Sequence, residues 1–218
     1  MSKTSKKQAA ADRKARIEAM RRAEQARERR NRIITITLST VIVAGLVGWG
    51  AYAVDNADRK KEQKAAEAAK PISGEKVWDV KKLGRNHVQG KVSYPMNPPV
   101  GGNHNPVWLT CNGNVYTKAV PNENAVHSLE HGAVWVTYND KATKADIKTL
   151  ADKVSTTPYT LMSPDKAQSG TIVLSAWAHQ LSVKTASDPR VAQFLTKYVQ
   201  GPQTPEPGAA CTNGLTAS

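Results

Sequence analysis

Asn124-Ala125-Val126-His127-Ser128-Leu129-Glu130-His131-Gly132-Ala133-Val134-Trp135-Val136-Thr137-Tyr138 changes its periodicity halfway along. Asn124 to His131 suits a short helix, with Gly132 at the position after its cap. Ala133 to Tyr138 is almost continuously apolar, as a central strand is when both faces are covered. A helix running directly into a buried strand predicts a mixed architecture of layers, not a helical bundle.

Working outward, the same alternation recurs. Val107 to Thr110 and Val115 to Ala119 are strand-like. The Asn112-Gly113 pair between them is a hairpin signal. Thr143-Lys144-Ala145-Asp146 caps a helix to about Val154, whose Ile147, Leu150, Ala151 and Val154 follow helical spacing. Tyr159 to Met162 and Thr171 to Ala178 are further strands. Ser187-Asp188-Pro189 opens a last helix with a buried stripe of Val191, Phe194, Leu195 and Tyr198, and Gly201 ends it. The expected fold is α+β: a compact domain over residues 73–211, with a mainly antiparallel sheet, two or three packed helices and a short tail at 212–218. Trp108, Trp135 and Trp177 fall in predicted strands and read as core.

The N-terminal third has a different composition. Residues 1–32 hold twelve Lys or Arg and four acids, so +8 of the net +13 lies in this basic tail. Charge so confined weakens the case for a nucleic-acid-binding domain. Residues 33–54 carry no charge, and 22 residues at about 1.5 Å each cross a hydrocarbon layer of about 30 Å. Hydroxyls at Thr35, Thr37, Ser39 and Thr40 can bond back to helix carbonyls. Cations crowd the N-terminal side, so the positive-inside rule places the tail in the cytoplasm and the rest outside the cell membrane. Ala51-Tyr52-Ala53 also fits a signal-peptide cleavage site, which would export the same domain. The basic tail is suited to anionic lipid head groups or to plain solvation. Residues 55–72 form a charged, helix-prone stalk that Pro71 ends.

Outside the membrane, Cys111 and Cys211 are expected to form a disulfide, closing a long loop worth about 4 kcal/mol by chain entropy. A soft metal site is the alternative, without a Cys-x-x-Cys pair to support it.

His127 and His131 are four apart on one helix face, with Glu130 beside them. His104 follows Pro98-Pro99-Val100-Gly101-Gly102, a stiffened loop whose glycines allow close backbone approach. Three neutral imidazoles and a carboxylate suit zinc or copper. Met96 and His179 are further candidate donors, while His87 fits no pattern. The rival reading makes the same side chains a structural hydrogen-bond cluster. His-x-x-Glu-His exists among zinc peptidases, but on longer helices. No nucleophile elbow, phosphate loop or dinucleotide fingerprint accompanies it, so a metal-dependent hydrolase is only a third and weaker expectation.

Pro98-Pro99-x-x-Gly102-x-His104 and Val126-His127-Ser128-Leu129-Glu130-His131-Gly132 together resemble the domain of unknown function 3105, a family of actinobacterial and related membrane-anchored proteins. The resemblance spans roughly Ser73 to Cys211. It implies that His104, His127, Glu130, His131 and Gly132 belong to the family signature, and it implies location and fold more than activity. Two functions follow as expectations. One is a membrane-anchored exported domain binding copper or zinc through His104, His127, His131 and Glu130. The other is a non-catalytic envelope scaffold or interaction module whose partner would be another envelope protein.

Overall fold

A computed structural model describes residues 3–216. The chain divides into two units, Met1–Lys61 and Glu62–Ser218.

The first unit is carried by helix α1 (Lys3–Ala69), which runs unbroken through the basic tail, the uncharged segment and the stalk. It is the one helix among the described residues long and apolar enough to cross a membrane. Its uncharged segment, from Ile33 to Val54, is exposed apart from half-buried Gly50. Hydroxyls of Thr35, Thr37 and Thr40 donate to the carbonyls of Asn31, Ile33 and Ile36 at 2.8–2.9 Å, which satisfies these polar groups within the helix itself.

The second unit is built on a six-stranded sheet in the order β1-β6-β5-β3-β4-β2. Its elements are β1 (Lys76–Val77), β2 (Asn112–Val115), α2 (Asn122–Glu130), β3 (Val134–Tyr138), α3 (Lys144–Ser155), β4 (Thr160–Pro164), β5 (Ile172–Ala176), β6 (His179–Val183) and α4 (Pro189–Tyr198). The sheet is mixed: three of its five strand pairings are antiparallel and two are parallel. β1, β6, β5 and β3 pair antiparallel, while β4 runs parallel to both β3 and β2. The parallel half follows from α2 and α3, because each strand–helix–strand crossover, β2–α2–β3 and β3–α3–β4, returns the chain in the same direction.

Two sequence expectations are corrected here. The Asn112-Gly113 hairpin is absent: both residues lie inside β2, where the register shifts between Asn112 and Asn114. Asn114 Oδ1 accepts from Asn112 N–H at 3.0 Å, so the Asn-Gly signal serves a bulge instead of a reversal. The stretch from Thr171 is two strands, not one. β5 and β6 turn over Trp177-Ala178, with Ala178 at φ 62°. No glycine or asparagine marks this turn. It is braced from outside, by Ala178 N–H on Val100 O at 2.8 Å and Trp78 N–H on Ala178 O at 2.9 Å.

Side chains alternate across the sheet with the two-residue strand period. Val134, Val136, Met162, Leu174 and Leu181 face α3 and α4, where Leu150, Val154, Val191, Phe194 and Tyr198 complete one core. Trp135 and Leu161 face the other way, toward α2, Leu109, Trp177 and the Cys111–Cys211 disulfide. Trp135 is buried, and its Nε1–H donates to Ser163 Oγ at 3.0 Å. Thr143 caps α3 by accepting from Asp146 N–H, and Asp188 caps α4, both as the sequence predicts.

Candidate functional site

The second core layer is closed by irregular chain, and the histidines gather there. α2 ends in a Schellman arrangement: Gly132 N–H bonds Leu129 O and Ala133 N–H bonds Ser128 O, each at 3.0 Å. Gly132 has φ 90°, and a Cβ there would meet Gln200 Nε2 at 2.5 Å, so only glycine fits. Ser128 points inward and holds Leu109, donating to its carbonyl and accepting from its N–H.

His104 reaches the site from the proline-glycine loop. Gly101 and Gly102 have φ 153° and 124°. A Cβ at Gly101 would lie 3.3 Å from the Trp177 ring, and one at Gly102 3.2 Å from Tyr94, which is the close approach expected of them. The segment with Arg85 and His87 pairs with this loop. Val88 N–H donates to His104 O at 2.7 Å, and His104 N–H donates to Asn86 O at 3.0 Å. That pairing brings in His87, which no sequence pattern had marked.

Four side chains converge: His87, His104, His127 and Glu130 each offer a ligand atom within 4.8 Å of the others. His104, His127 and Glu130 are buried, and His87 is the exposed member. The ring centroids of His87, His104 and His127 lie 4.8–4.9 Å apart. His131 lies beside the group but outside it, its ring 4.6 Å from that of His127. It turns instead toward the C-terminal segment, with Nε2 3.8 Å from Glu206 Oε2. Trp108, half-buried, rests 5.0 Å from the His131 ring and is not a core side chain as predicted. His179 also stands apart, bonded through Nδ1 to Glu75 Oε1 at 2.8 Å.

The hydrogen bonds settle which nitrogen each ring can offer. His104 Nδ1 lies 2.8 Å from Gly102 O, His127 Nδ1 2.7 Å from Asn105 O, and His131 Nδ1 2.7 Å from Ala210 O. Carbonyls only accept, so each Nδ1 carries a proton and Nε2 is the nitrogen left to face a ligand. Backbone carbonyls commonly orient metal-ligating imidazoles in this way.

One contact is unresolved by the protein's own groups. His104 Nε2 is fully buried and lies 2.8 Å from Glu130 Oε2, without the geometry of a regular hydrogen bond. Two lone pairs facing at that distance repel, and a proton or a metal cation between them removes the repulsion. Arg85 Nε donates to the other oxygen, Oε1, at 2.8 Å. Burial would raise the Glu130 carboxyl, but a proton held on His104 Nε2 and the Arg85 guanidinium outweigh it and hold its pKa down to about 2. His127 is pushed down to about 4, chiefly by burial and then by its neighbouring histidines, against the pull of Asn105 O. Both groups are therefore in their metal-ligating protonation states at neutral pH.

An ion about 2.1 Å from tetrahedral ligands needs ligand–ligand edges of about 3.4 Å. His104 Nε2–Glu130 Oε2 at 2.8 Å and His87 Nε2–Glu130 Oε2 at 3.9 Å bracket that edge. The widest separation in the group, up to 4.8 Å, requires a small inward shift, and half-exposed His87 is the side chain with room to make it.

The C-terminal segment closes the site from outside. Glu206 N–H donates to Glu130 O at 3.1 Å, Gln200 N–H to Gly132 O at 3.0 Å, and Cys111 N–H to Cys211 O at 2.8 Å. The disulfide joins Cys111 to Cys211 across 100 residues, so this segment is fastened at its far end.

Sequence reasoning missed His87, Arg85 and Glu206. Each sits in irregular chain, where no period reports on direction, and backbone pairing between distant loops places them. Residues 87–213 match the profile of a family described as protein of unknown function, DUF3105, and the chain belongs to that family. The match takes in all four converging residues and both cysteines. No curated protein and no solved structure matches the chain.

Proposed function

We propose that this DUF3105 domain binds a divalent transition metal through His104, His127 and Glu130, with His87 as the fourth ligand. The carrying observation is the buried, unpartnered His104 Nε2 facing Glu130 Oε2, in a cluster whose rings are pinned through Nδ1. The ligand set is nitrogen and oxygen only, because both cysteines are in the disulfide. That chemistry suits Zn²⁺ or Cu²⁺ better than Cu⁺. His131, expected as a ligand, becomes a neighbour that orients the C-terminal segment. An ion enters past His87, the exposed member.

In this reading α1 anchors the domain to the lipid bilayer, with the basic tail in the cytoplasm and the domain outside. The charge asymmetry and the disulfide both support that direction. A reporter fused after Ser218 that is active only outside the cell supports it; activity in the cytoplasm refutes it.

The metal test uses the full chain in detergent, loaded with equimolar zinc or copper(II) and desalted. One ion per chain is expected, lost in His104→Ala and His127→Ala. No retained ion, or retention unchanged in those variants, refutes the proposal.

A second reading keeps the cluster purely structural, as part of an envelope scaffold. Its support is that the Nδ1–H groups of His127 and His131 bond Asn105 and Ala210, tying the end of α2 to the proline-glycine loop and to the C-terminal segment. The same metal analysis separates the two.

A further inference from the structure

The cluster already holds a cation of its own. Arg85 bonds Glu130 Oε1 through Nε at 2.8 Å, on a carboxylate that is only 2% exposed. The guanidinium itself is half exposed. Its Nη2 lies 3.8 Å from Glu206 Oε1, a second carboxylate that is 44% exposed. Beside it opens a cavity of about 400 Å³, lined by Arg85, Val80, Trp177, Pro202 and Gln203. Arg85 therefore has a buried carboxylate on one side, and on the other both free space and an alternative carboxylate.

Formal charge shows the consequence. Three neutral imidazoles, Glu130 and Arg85 sum to zero. A divalent ion raises the same partly buried group to +2, with the guanidinium and the ion sharing one carboxylate. Like charges a few ångströms apart in a poorly solvated site repel strongly. Moving Arg85 to Glu206 relieves this without leaving either charge unpaired.

We infer that Arg85 is the cation the metal displaces, and that Glu206 is the carboxylate that receives it. This rests on the metal reading of the cluster. Arg85 keeps Glu130 paired in the metal-free protein and sets a threshold that an incoming ion must exceed. Monovalent cations, with half the charge, do not reach it.

The test is a zinc titration of the full chain against a competing chelator dye. It compares wild type, Arg85→Gln, Arg85→Lys, Glu206→Gln and the Arg85→Gln/Glu206→Gln double variant. Arg85→Gln is expected to bind zinc about tenfold more tightly or better, since a unit charge near the ion is gone. Arg85→Lys should stay near wild type. Glu206→Gln should bind about threefold more weakly, and this loss should vanish in the Arg85→Gln background, because the two act as one unit. Affinity in Arg85→Gln equal to or below wild type overturns the inference. Should Arg85→Gln fail to fold, Glu206→Gln decides alone, since it leaves the Arg85–Glu130 pair intact; unchanged affinity there overturns it. Wild-type binding that His127→Ala abolishes but Arg85→Gln does not strengthen refutes only the displacement. A wild type that binds no zinc refutes the metal reading and the inference together.

Discussion

The two faces of the sheet are built by different rules. Toward α3 and α4, the core is a continuous set of aliphatic and aromatic side chains, Leu150, Leu174 and Phe194 among them, all buried. Toward α2 the layer is assembled from loops and a disulfide, and it buries His104, His127, Glu130 and His131. Burying such groups costs free energy unless partners or an ion compensate. The first face thus contributes stability at little cost. The second spends part of its burial on holding polar groups in a set geometry, which is what a site requires.

The comparison can be broken most forcefully at Phe194. Truncation to alanine should destabilise the domain by about 3–5 kcal/mol, while metal stoichiometry stays unchanged. Denaturant unfolding with parallel metal analysis checks both, and loss of the ion in the folded variant would mean that the faces are not separable.

Replacing Cys111 with serine should cost up to about 4 kcal/mol. Here stability and zinc affinity should fall together, because the segment that Cys211 fastens holds Glu130 through the Glu206 N–H bond to its carbonyl. Weakened folding with undiminished zinc affinity would detach the C-terminal segment from the site.

Acid should act through the second face. His127 has a folded pKa of about 4 against an ordinary 6.5, so its contribution is complete above pH 6.5 and is lost as pH falls toward 4. Glu130, at about 2 against 4.5, contributes fully above pH 4.5 and loses this as pH falls toward 2. Stability should therefore decline from pH 6.5 downward by about 1–3 kcal/mol from His127, and His127→Gln should flatten the profile between pH 6.5 and 4. A metal-free melting temperature independent of pH over that window would contradict the assignment.

The smallest effect sharpens the first face. Thr143→Ala removes the cap on α3 and should cost about 1 kcal/mol, with zinc affinity unaltered in a dye-competition titration.

Legibility followed the same division. α3 and α4 were readable because Thr143 and Asp188 announce their starts and apolar residues repeat at helical spacing. β3 was readable because Val134 to Tyr138 is too apolar for anything but a covered strand. The site was half legible. His104, His127 and Glu130 converge, and the glycines at 101, 102 and 132 do what their positions suggest. His131 was expected as a ligand on i,i+4 spacing, but its ring lies outside the converging four, with Nε2 3.8 Å from Glu206 Oε2. His87 and Arg85 were invisible because a loop has no period, and their placement depends on Asn86 and Val88 pairing with His104. The β5–β6 turn was missed for a related reason: Ala178 adopts a positive φ that tertiary bonds, not its own chemistry, support.

X-ray absorption at the zinc edge of the zinc-loaded full chain tests the central claim most directly. A shell of nitrogen and oxygen at about 2.0–2.1 Å, with outer-shell scattering from two or three imidazoles that drops in His104→Ala, is the predicted result. A shell without imidazole scattering, or one left unchanged by His104→Ala, would contradict it.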